Sequence, residues 1–229
     1  VAQLKEIRPS AIIAGSEAGV EVADRLSQVL DLALRNDDAL AKARRNKFIM
    51  SEKVRAAGLD TIKQLRTSQL DEAREFAKNT GFPILVKEID GAGGHGFAIC
   101  RDDEALSTAF ANILKSTNPF DKKNTEVLVQ EFVHGEEYAI NSVSHAGRHH
   151  VTEVVKYKKK EEKSGGLVYE TSTLQPHSDV DGKGIIKYVG GVLTALGIQY
   201  GPGHTEVMIT PEGRCVLIEC GARLAGGSL

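Results

Sequence analysis

The sequence predicts an α/β protein, and three observations carry that expectation. Short apolar runs alternate with stretches of helical periodicity over residues 10–116. A block of strand-like segments follows over 126–174, and two alternating runs close the chain around Pro211-Glu212-Gly213. Glycine is abundant, with 23 residues, enough for several loops and close backbone approaches. Size and charge then narrow the class. At 229 residues the chain has room for one or two domains. A hydrophobic share of 41% and a charged share of 26% exclude wholesale disorder. Lys and Arg number 29 against 31 Asp and Glu, so a net charge of −2 gives no pull toward nucleic acid. No apolar run approaches the roughly 18–20 residues that span a bilayer. Cys100, Cys215 and Cys220 are odd in number and lack metal-ligand spacing, so reduced thiols in a cytoplasmic protein are expected.

Taken in order, Ser10–Ala14 reads as a buried parallel strand closed by Gly15. Val20, Val22, Ala23, Leu26, Val29 and Leu30 then follow helical spacing, giving half of a βαβ unit. Residues 37–57 read as one or two basic helices closed by Gly58. Thr61–Arg66 is a strand, and Ser68 caps a helix ending at Thr80-Gly81, with Asp71 and Glu72 in its first turn. Strands at Pro83–Lys87 and Phe97–Cys100 precede a helix from Asp102 to about Ser116. Four strands follow at 126–132, 137–144, 148–157 and 168–174, with His145-Ala146-Gly147 as a hairpin turn. The run Lys158–Lys163 reads as an exposed loop between strands. Ser178–Leu196 is a helix with glycines weakening its interior, and 204–210 pairs with 214–220 as a hairpin. The chain opens at Val1 and stops just past a glycine pair, which reads as a piece of a longer protein.

Chemistry concentrates in three segments. Lys87 ends an apolar strand and is followed by Asp90-Gly-Ala-Gly-Gly-His-Gly96. Such a loop can lie over a ligand and aim backbone N–H groups at phosphate oxygens, with the lysine adding positive charge. A plain flexible turn would use the same glycines. In Gln130-Glu-Phe-Val-His-Gly-Glu-Glu-Tyr138, acids at a strand edge could receive an adenine amino group or ribose hydroxyls, or simply face water. Glu206 and Glu219 lie on two strands joined by one tight turn, among apolar neighbours where unpaired negative charge is expensive. Magnesium would relieve that cost, since it takes one or two carboxylates plus substrate phosphates. A solvated hairpin bearing two glutamates is the alternative.

In their order, these segments resemble the ATP-grasp superfamily, specifically its carboxylate–amine and L-amino-acid (dipeptide) ligases. Val151–Tyr157 (Val-Thr-Glu-Val-Val-Lys-Tyr) and Gly201–Val207 (Gly-Pro-Gly-His-Thr-Glu-Val) carry the nearest likeness, which extends over nearly the whole chain. The resemblance implies an ATP-grasp fold: an α+β ATP-covering subdomain at 59–130 and an antiparallel-sheet subdomain at 131–229. Residues 1–36 would end a Rossmann-like domain, with linking helices at 37–58. It further implies that Lys47 and Lys87 bind ATP phosphates under the loop bearing Gly91, Gly93, Gly94 and Gly96. Glu131, with the backbone of Phe132 and Val133, would hold adenine, and Glu137 the ribose. Glu206 and Glu219 would ligate magnesium, with manganese as a substitute. Arg223 would steady an acyl phosphate, His204 would face the substrate, and Glu17 would reach the substrate amine.

The implied activity joins a carboxylate, expected to be an amino acid's, to an amine through an acyl phosphate, releasing ADP and phosphate. Small-molecule substrates, no nucleic acid, no membrane and a homodimer complete that expectation. The alternatives are another ATP-grasp carboxylase or ligase of nucleotide or cofactor metabolism, and an ATP-binding module without turnover. Two departures stand out. Gly221 sits where many members carry asparagine two residues after the second metal glutamate, and Asn141 where many carry aspartate.

Overall fold

The computed structural model describes residues 1–89, 97–117, 121–161, 167–181 and 184–226. Helix α1 (Ala2–Ile7) stops at Arg8, whose φ of 53° is left-handed. The strand expected at Ser10–Ala14 does not form. Ala14 alone makes a parallel bridge, to Arg223, and Ile13 is exposed. A strand needs a neighbour along its length to take its backbone groups, and one bridge does not supply it. A short 3₁₀ turn at Glu17–Gly19 leads into α2 (Val20–Val29). That helix buries Val20, Ala23 and Ser27, whereas Val22 and Val29, counted with its apolar face, are exposed.

A longer 3₁₀ segment, Asp38–Arg44, begins where the Asp37 carboxylate accepts the Ala39 N–H at 2.9 Å. Asn46 caps α3 (Lys47–Ala56) in the same way, accepting the Ile49 N–H at 2.9 Å. Gly58, with φ of 79°, closes the segment as expected. Strand β1 (Gln64–Thr67) precedes α4 (Leu70–Thr80). Ser68 does not cap this helix. The inward-facing Thr67 hydroxyl instead accepts the Gln69 N–H at 2.9 Å and donates to Glu72, while Ser68 points to solvent.

Strands β2 (Ile84–Lys87) and β3 (Phe97–Cys100) are followed by α5 (Asp103–Lys115), capped by Asp102 at 2.8 Å from the Ala105 N–H. Then come β4 (Val127–Glu131), β5 (Glu136–His145), β6 (Arg148–Glu161) and β7 (Leu167–Gln175). Ala146 and Gly147, with φ of 49° and 73°, turn the β5–β6 hairpin. Lys158, Lys159 and Lys160 belong to β6 and not to the expected loop. Cross-strand partners on β7 explain this: Lys158 pairs with Glu170 at 2.7 Å, and Lys159 lies 4.8 Å over the Tyr169 ring. The helix expected over 178–196 is two pieces, α6 (Ser178–Asp181) and α7 (Ile185–Ala195). Gly184, at φ of 69°, caps the second piece in a conformation a continuous helix cannot contain. Strands β8 (Gly201–Ile209) and β9 (Cys215–Gly221) form the closing hairpin.

The chain divides into two compact units. One comprises Ile62–His134 and Lys158–Thr171. Its four-stranded sheet, order β1-β4-β2-β3 with antiparallel pairs, packs Ile84, Val86, Val127 and Val129 against α4 and α5 through Ala73, Ala77, Leu106 and Phe110. Lys87, alternating with Val86, lies on the opposite sheet face.

The other unit comprises Val1–Thr61, Gly135–Tyr157 and Ser172–Leu229. Here the strand order is β7-β6-β5-β8-β9. Tyr138, Ile140, Val154, Val207 and Leu217 form one core with Ile185, Val189, Val192 and Leu193 of α7, and with Met50 and Val54 of α3. Arg44 is fully buried beside this core. Its guanidinium donates to Asp24 Oδ2 at 2.9 Å, to the Leu196 carbonyl at 3.0 Å and to the Asp37 carbonyl at 2.9 Å. Among the described residues no helix is long and apolar enough to cross a membrane.

Candidate active site

The sheet face turned away from α7 carries Asn141 of β5, Glu153 of β6, His204 and Glu206 of β8 and Glu219 of β9. Alternation along β8 puts Val207 and Ile209 into the core and His204 and Glu206 on the opposite face. Glu206 and Glu219 are Cα partners across β8 and β9. The turn alone does not arrange this. Pairing outward from Thr210 and Arg214 runs through Ile209↔Cys215 and Val207↔Leu217, and its regular continuation would oppose Glu206 with Ile218. A register shift between Glu206 and Val207 leaves Ile218 as the extra residue and brings Glu219 opposite Glu206. A second shift lies between Asn141 and Ser142, on the β5–β6 side. Bulges therefore flank the cluster on both sides.

Lys47, at the start of α3, donates its ammonium to Glu219 Oε1 and is itself buried. His204 Nε2 stands 3.5 Å from Glu206 Oε1, and His204 Nδ1 is 2.7 Å from Asn141 Oδ1. Asn141 in turn donates to Glu153 Oε2 at 2.7 Å. Beyond the end of β9, Arg223 Nε donates to Glu17 Oε2 at 2.7 Å, and Arg45 donates to Glu17 Oε1. Two guanidinium groups thus share one carboxylate. Burial pushes the Glu17 carboxyl up, but the hydrogen bonds and charges of Arg223 and Arg45 outweigh it and hold its pKa below the ordinary glutamate value. A carboxyl with a depressed native pKa stabilises the fold fully above its unfolded value, and that contribution drains away as pH falls through the native value. Denaturant titrations should accordingly show Glu17→Gln losing stability relative to the parent at neutral pH. The gap should begin to close as pH falls below the ordinary glutamate pKa and vanish once pH passes the lower native value. A gap that persists at low pH would assign the loss to packing.

The donor set fits a hard divalent cation. Two carboxylates face each other in register, and a lysine ammonium already serves as a cation on one of them. Among the described residues no three His, Cys, Asp or Glu side chains converge as a complete metal cage. Magnesium does not require one, since phosphates and water supply its remaining oxygens. The cysteines are not activated. Burial raises Cys100 to about 11 and Cys220 to about 12, and it raises Cys215 as well.

In the other unit, Lys87 is the last residue of β2, paired with Phe97 and Leu128. The Glu131 carboxylate accepts the Lys63 N–H at 2.9 Å, and Phe132 packs edge-on against His134 at 4.9 Å. Val133 follows as a half-buried residue, and Glu137, on β5 in the unit that holds Glu206 and Glu219, is also half-buried opposite Met208. Gly91, Gly93, Gly94 and Gly96 lie outside the described residues. Sequence reasoning overlooked Arg45, read only as helix content, and the Lys47–Glu219 contact. The run Arg44-Arg45-Asn46-Lys47 was the available signal: charged groups at the start of a helix that packs on the core are costly wherever they are buried without a partner.

A model of the ATP-grasp domain matches residues 80–229. Dapdiamide A synthase of Enterobacter agglomerans is 38% identical over 229 residues, covering 100% of this chain and 54% of that protein. The crystal structure of an L-amino acid ligase from Bacillus licheniformis superposes with a TM-score of 0.73 at 23% identity, covering 98% of this chain and 52% of that one. The biotin carboxylase domain of Hydrogenobacter thermophilus 2-oxoglutarate carboxylase, solved with MgADP and bicarbonate, gives 0.74 at 20% identity, covering 98% and 50%. The chain therefore spans about half the length of the proteins it matches. With mixed α/β units, antiparallel sheets and paired glutamates on the closing hairpin, the chain belongs to the ATP-grasp family.

Proposed function

We propose that the protein is an ATP- and magnesium-dependent ligase that joins a carboxylate, from an amino acid, to an amine. The observation that carries the reading is the in-register pair Glu206 and Glu219, within a chain of the ATP-grasp family. Similarity to dapdiamide A synthase along the whole chain, and to an L-amino acid ligase in fold, supports an amino acid over bicarbonate as the acceptor of the phosphoryl group.

In this reading the substrate carboxylate attacks the γ-phosphorus of ATP, giving an acyl phosphate and ADP. The amine then attacks the acyl carbon and phosphate leaves. The cation, when bound, supplies charge neutralisation at the transferring phosphoryl group. Glu206 and Glu219 would hold it. Lys47 would exchange Glu219 for phosphate oxygens, and Lys87 would neutralise the same chain of phosphates. Glu131, Phe132 and Val133 would take the adenine and Glu137 the ribose, with the loop of Gly91, Gly93, Gly94 and Gly96 covering the phosphates. Arg223 would stabilise the acyl phosphate, oriented by Glu17, whose remaining lone pairs would receive the substrate amine. His204 borders the same face. No residue need act as a covalent nucleophile, in keeping with three unactivated thiols. Manganese is expected to substitute for magnesium, and a homodimer and a cytoplasmic location complete the proposal.

Phosphate release from Mg-ATP, measured with and without mixed amino acids, tests it. Release that depends on amino acids is the expected result. Release driven by bicarbonate instead, or none with any mixture, would overturn it.

A further inference from the structure

We infer that Tyr188 of α7 is a positioning residue for Glu219: its hydroxyl holds β9 in the shifted register that brings Glu219 opposite Glu206. This rests on the metal-dependent reading above and names the group that sets its two carboxylates face to face.

β9 is the outer strand of its sheet, and on its far side Thr61 contributes only a single parallel bridge, to Leu217. In a regular antiparallel strand the N–H groups that face the free edge recur at every second residue. Here Leu217 and Cys220 send theirs outward, three residues apart, with the extra residue Ile218 between them. Both residues are buried, so water does not serve these groups. The Leu217 N–H donates to the Tyr188 hydroxyl at 2.8 Å, and the Cys220 N–H donates to Met50 Sδ at 3.3 Å. One acceptor therefore stands before the bulge and one after it. In a regular register Cys220 would turn its N–H toward β8, and Glu219 would present its own at the edge.

Of the two acceptors the hydroxyl is the stronger, because a thioether accepts only weakly. It is also anchored. Tyr188 donates its own hydrogen to the Asp60 carbonyl, so one side chain ties residue 60 to β9. Burial pushes the phenol pKa up, which keeps that hydrogen in place. Without the hydroxyl, the buried Leu217 N–H loses its acceptor, and such a group is costly to leave unpaired. A strand relieves an unpaired N–H by rotating its backbone, and Glu219 lies only two residues further on. Met50 belongs to α3, which also supplies Lys47 to Glu219, so α3 and α7 both bear on this one carboxylate.

Tyr188→Phe tests this, because phenylalanine keeps the ring in the core and removes only the hydroxyl. Manganese titrated in the presence of ADP, followed by the paramagnetic resonance of the free ion, should bind about 10-fold more weakly than to the parent. That is the loss typical of removing a ligand's supporting partner. In steady state the variant should lower kcat and leave KM for the amino acid unchanged. Val189→Ala is the control: it opens a cavity on the same helix and removes no polar group. It should lower the melting temperature and leave manganese affinity unchanged. Met50→Leu should weaken manganese in the same direction but less, and it answers the question if Tyr188→Phe does not fold. Unchanged manganese affinity in Tyr188→Phe, or in Met50→Leu where Tyr188→Phe does not fold, would overturn the positioning role and leave the ligase reading standing. An equal weakening in Val189→Ala would do the same. A parent protein that binds no manganese with ADP would overturn the metal-dependent reading itself.

Discussion

Glu219→Gln should lower amino-acid-dependent phosphate release by about 10³-fold, because the cation's contribution to phosphoryl transfer is worth several kcal/mol. Glu206→Gln should lower it comparably, since the two carboxylates face each other in register. The pair of variants separates catalysis from folding. Lys47 is buried and donates to Glu219, so a neutral glutamine there leaves an ammonium with a weaker partner. Removing one member of a buried ion pair costs up to about 3–5 kcal/mol, and the partial exposure of Glu219 scales this toward about 1–2 kcal/mol. Glu206→Gln leaves the Lys47 contact intact. Comparable losses of activity in both variants are expected, with a lower melting temperature in Glu219→Gln from the weakened Lys47 contact. Activity within about 10-fold of the parent in either variant would remove the metal assignment.

The largest effect on stability should come from Arg44→Met. The side chain is fully buried, and its guanidinium serves Asp24 and the carbonyls of Leu196 and Asp37. Methionine fills much of the volume but leaves one carboxylate and two carbonyls without their donor. A loss of about 3–5 kcal/mol follows, on the order of 10 °C in melting temperature for a chain of this size. Arg44→Lys should recover little, because a point charge cannot reproduce three divergent bonds. The pH dependence identifies the cause. Burial raises the Asp24 carboxyl even against the opposing bond and charge of Arg44. Without Arg44 it should rise further. A raised carboxyl costs nothing below the unfolded pKa, and its penalty grows as pH climbs toward the native value. The deficit of Arg44→Met should accordingly shrink on acidification. A deficit that ignores pH would point to lost packing instead.

Much of this architecture is legible in the sequence, and the failures share a cause. The closing hairpin announces itself because alternation and a Pro-Glu-Gly turn are both local. The helices at 70–80 and 103–115 do so for the same reason. Ser10–Ala14 looked like a strand because its composition fits one, but composition says nothing about whether a neighbour lies alongside. Lys158–Lys160 looked like a loop because three consecutive lysines look solvated. What makes them a strand is Tyr169 and Glu170, ten or more residues away. The site divides along the same line. Glu206 and Glu219 were found from their apolar neighbours. Lys47 against Glu219, and Arg45 with Arg223 on Glu17, are contacts between distant segments that no local pattern encodes.

The extra residue in β9 bears on how this hairpin can change length. Ile218 is the one position whose removal would leave a regular ladder with Glu219 still facing Glu206 and Leu217 still opposite Val207. A homologue one residue shorter there would keep its facing pattern and lose only the local bend, so a gap at Ile218 in an alignment would not imply a displaced carboxylate. A second residue inserted beside it has no such latitude, because any further change of phase exchanges the polar face for the core. The hairpin can therefore vary in length by deletion at one point, while its two glutamates stay in step.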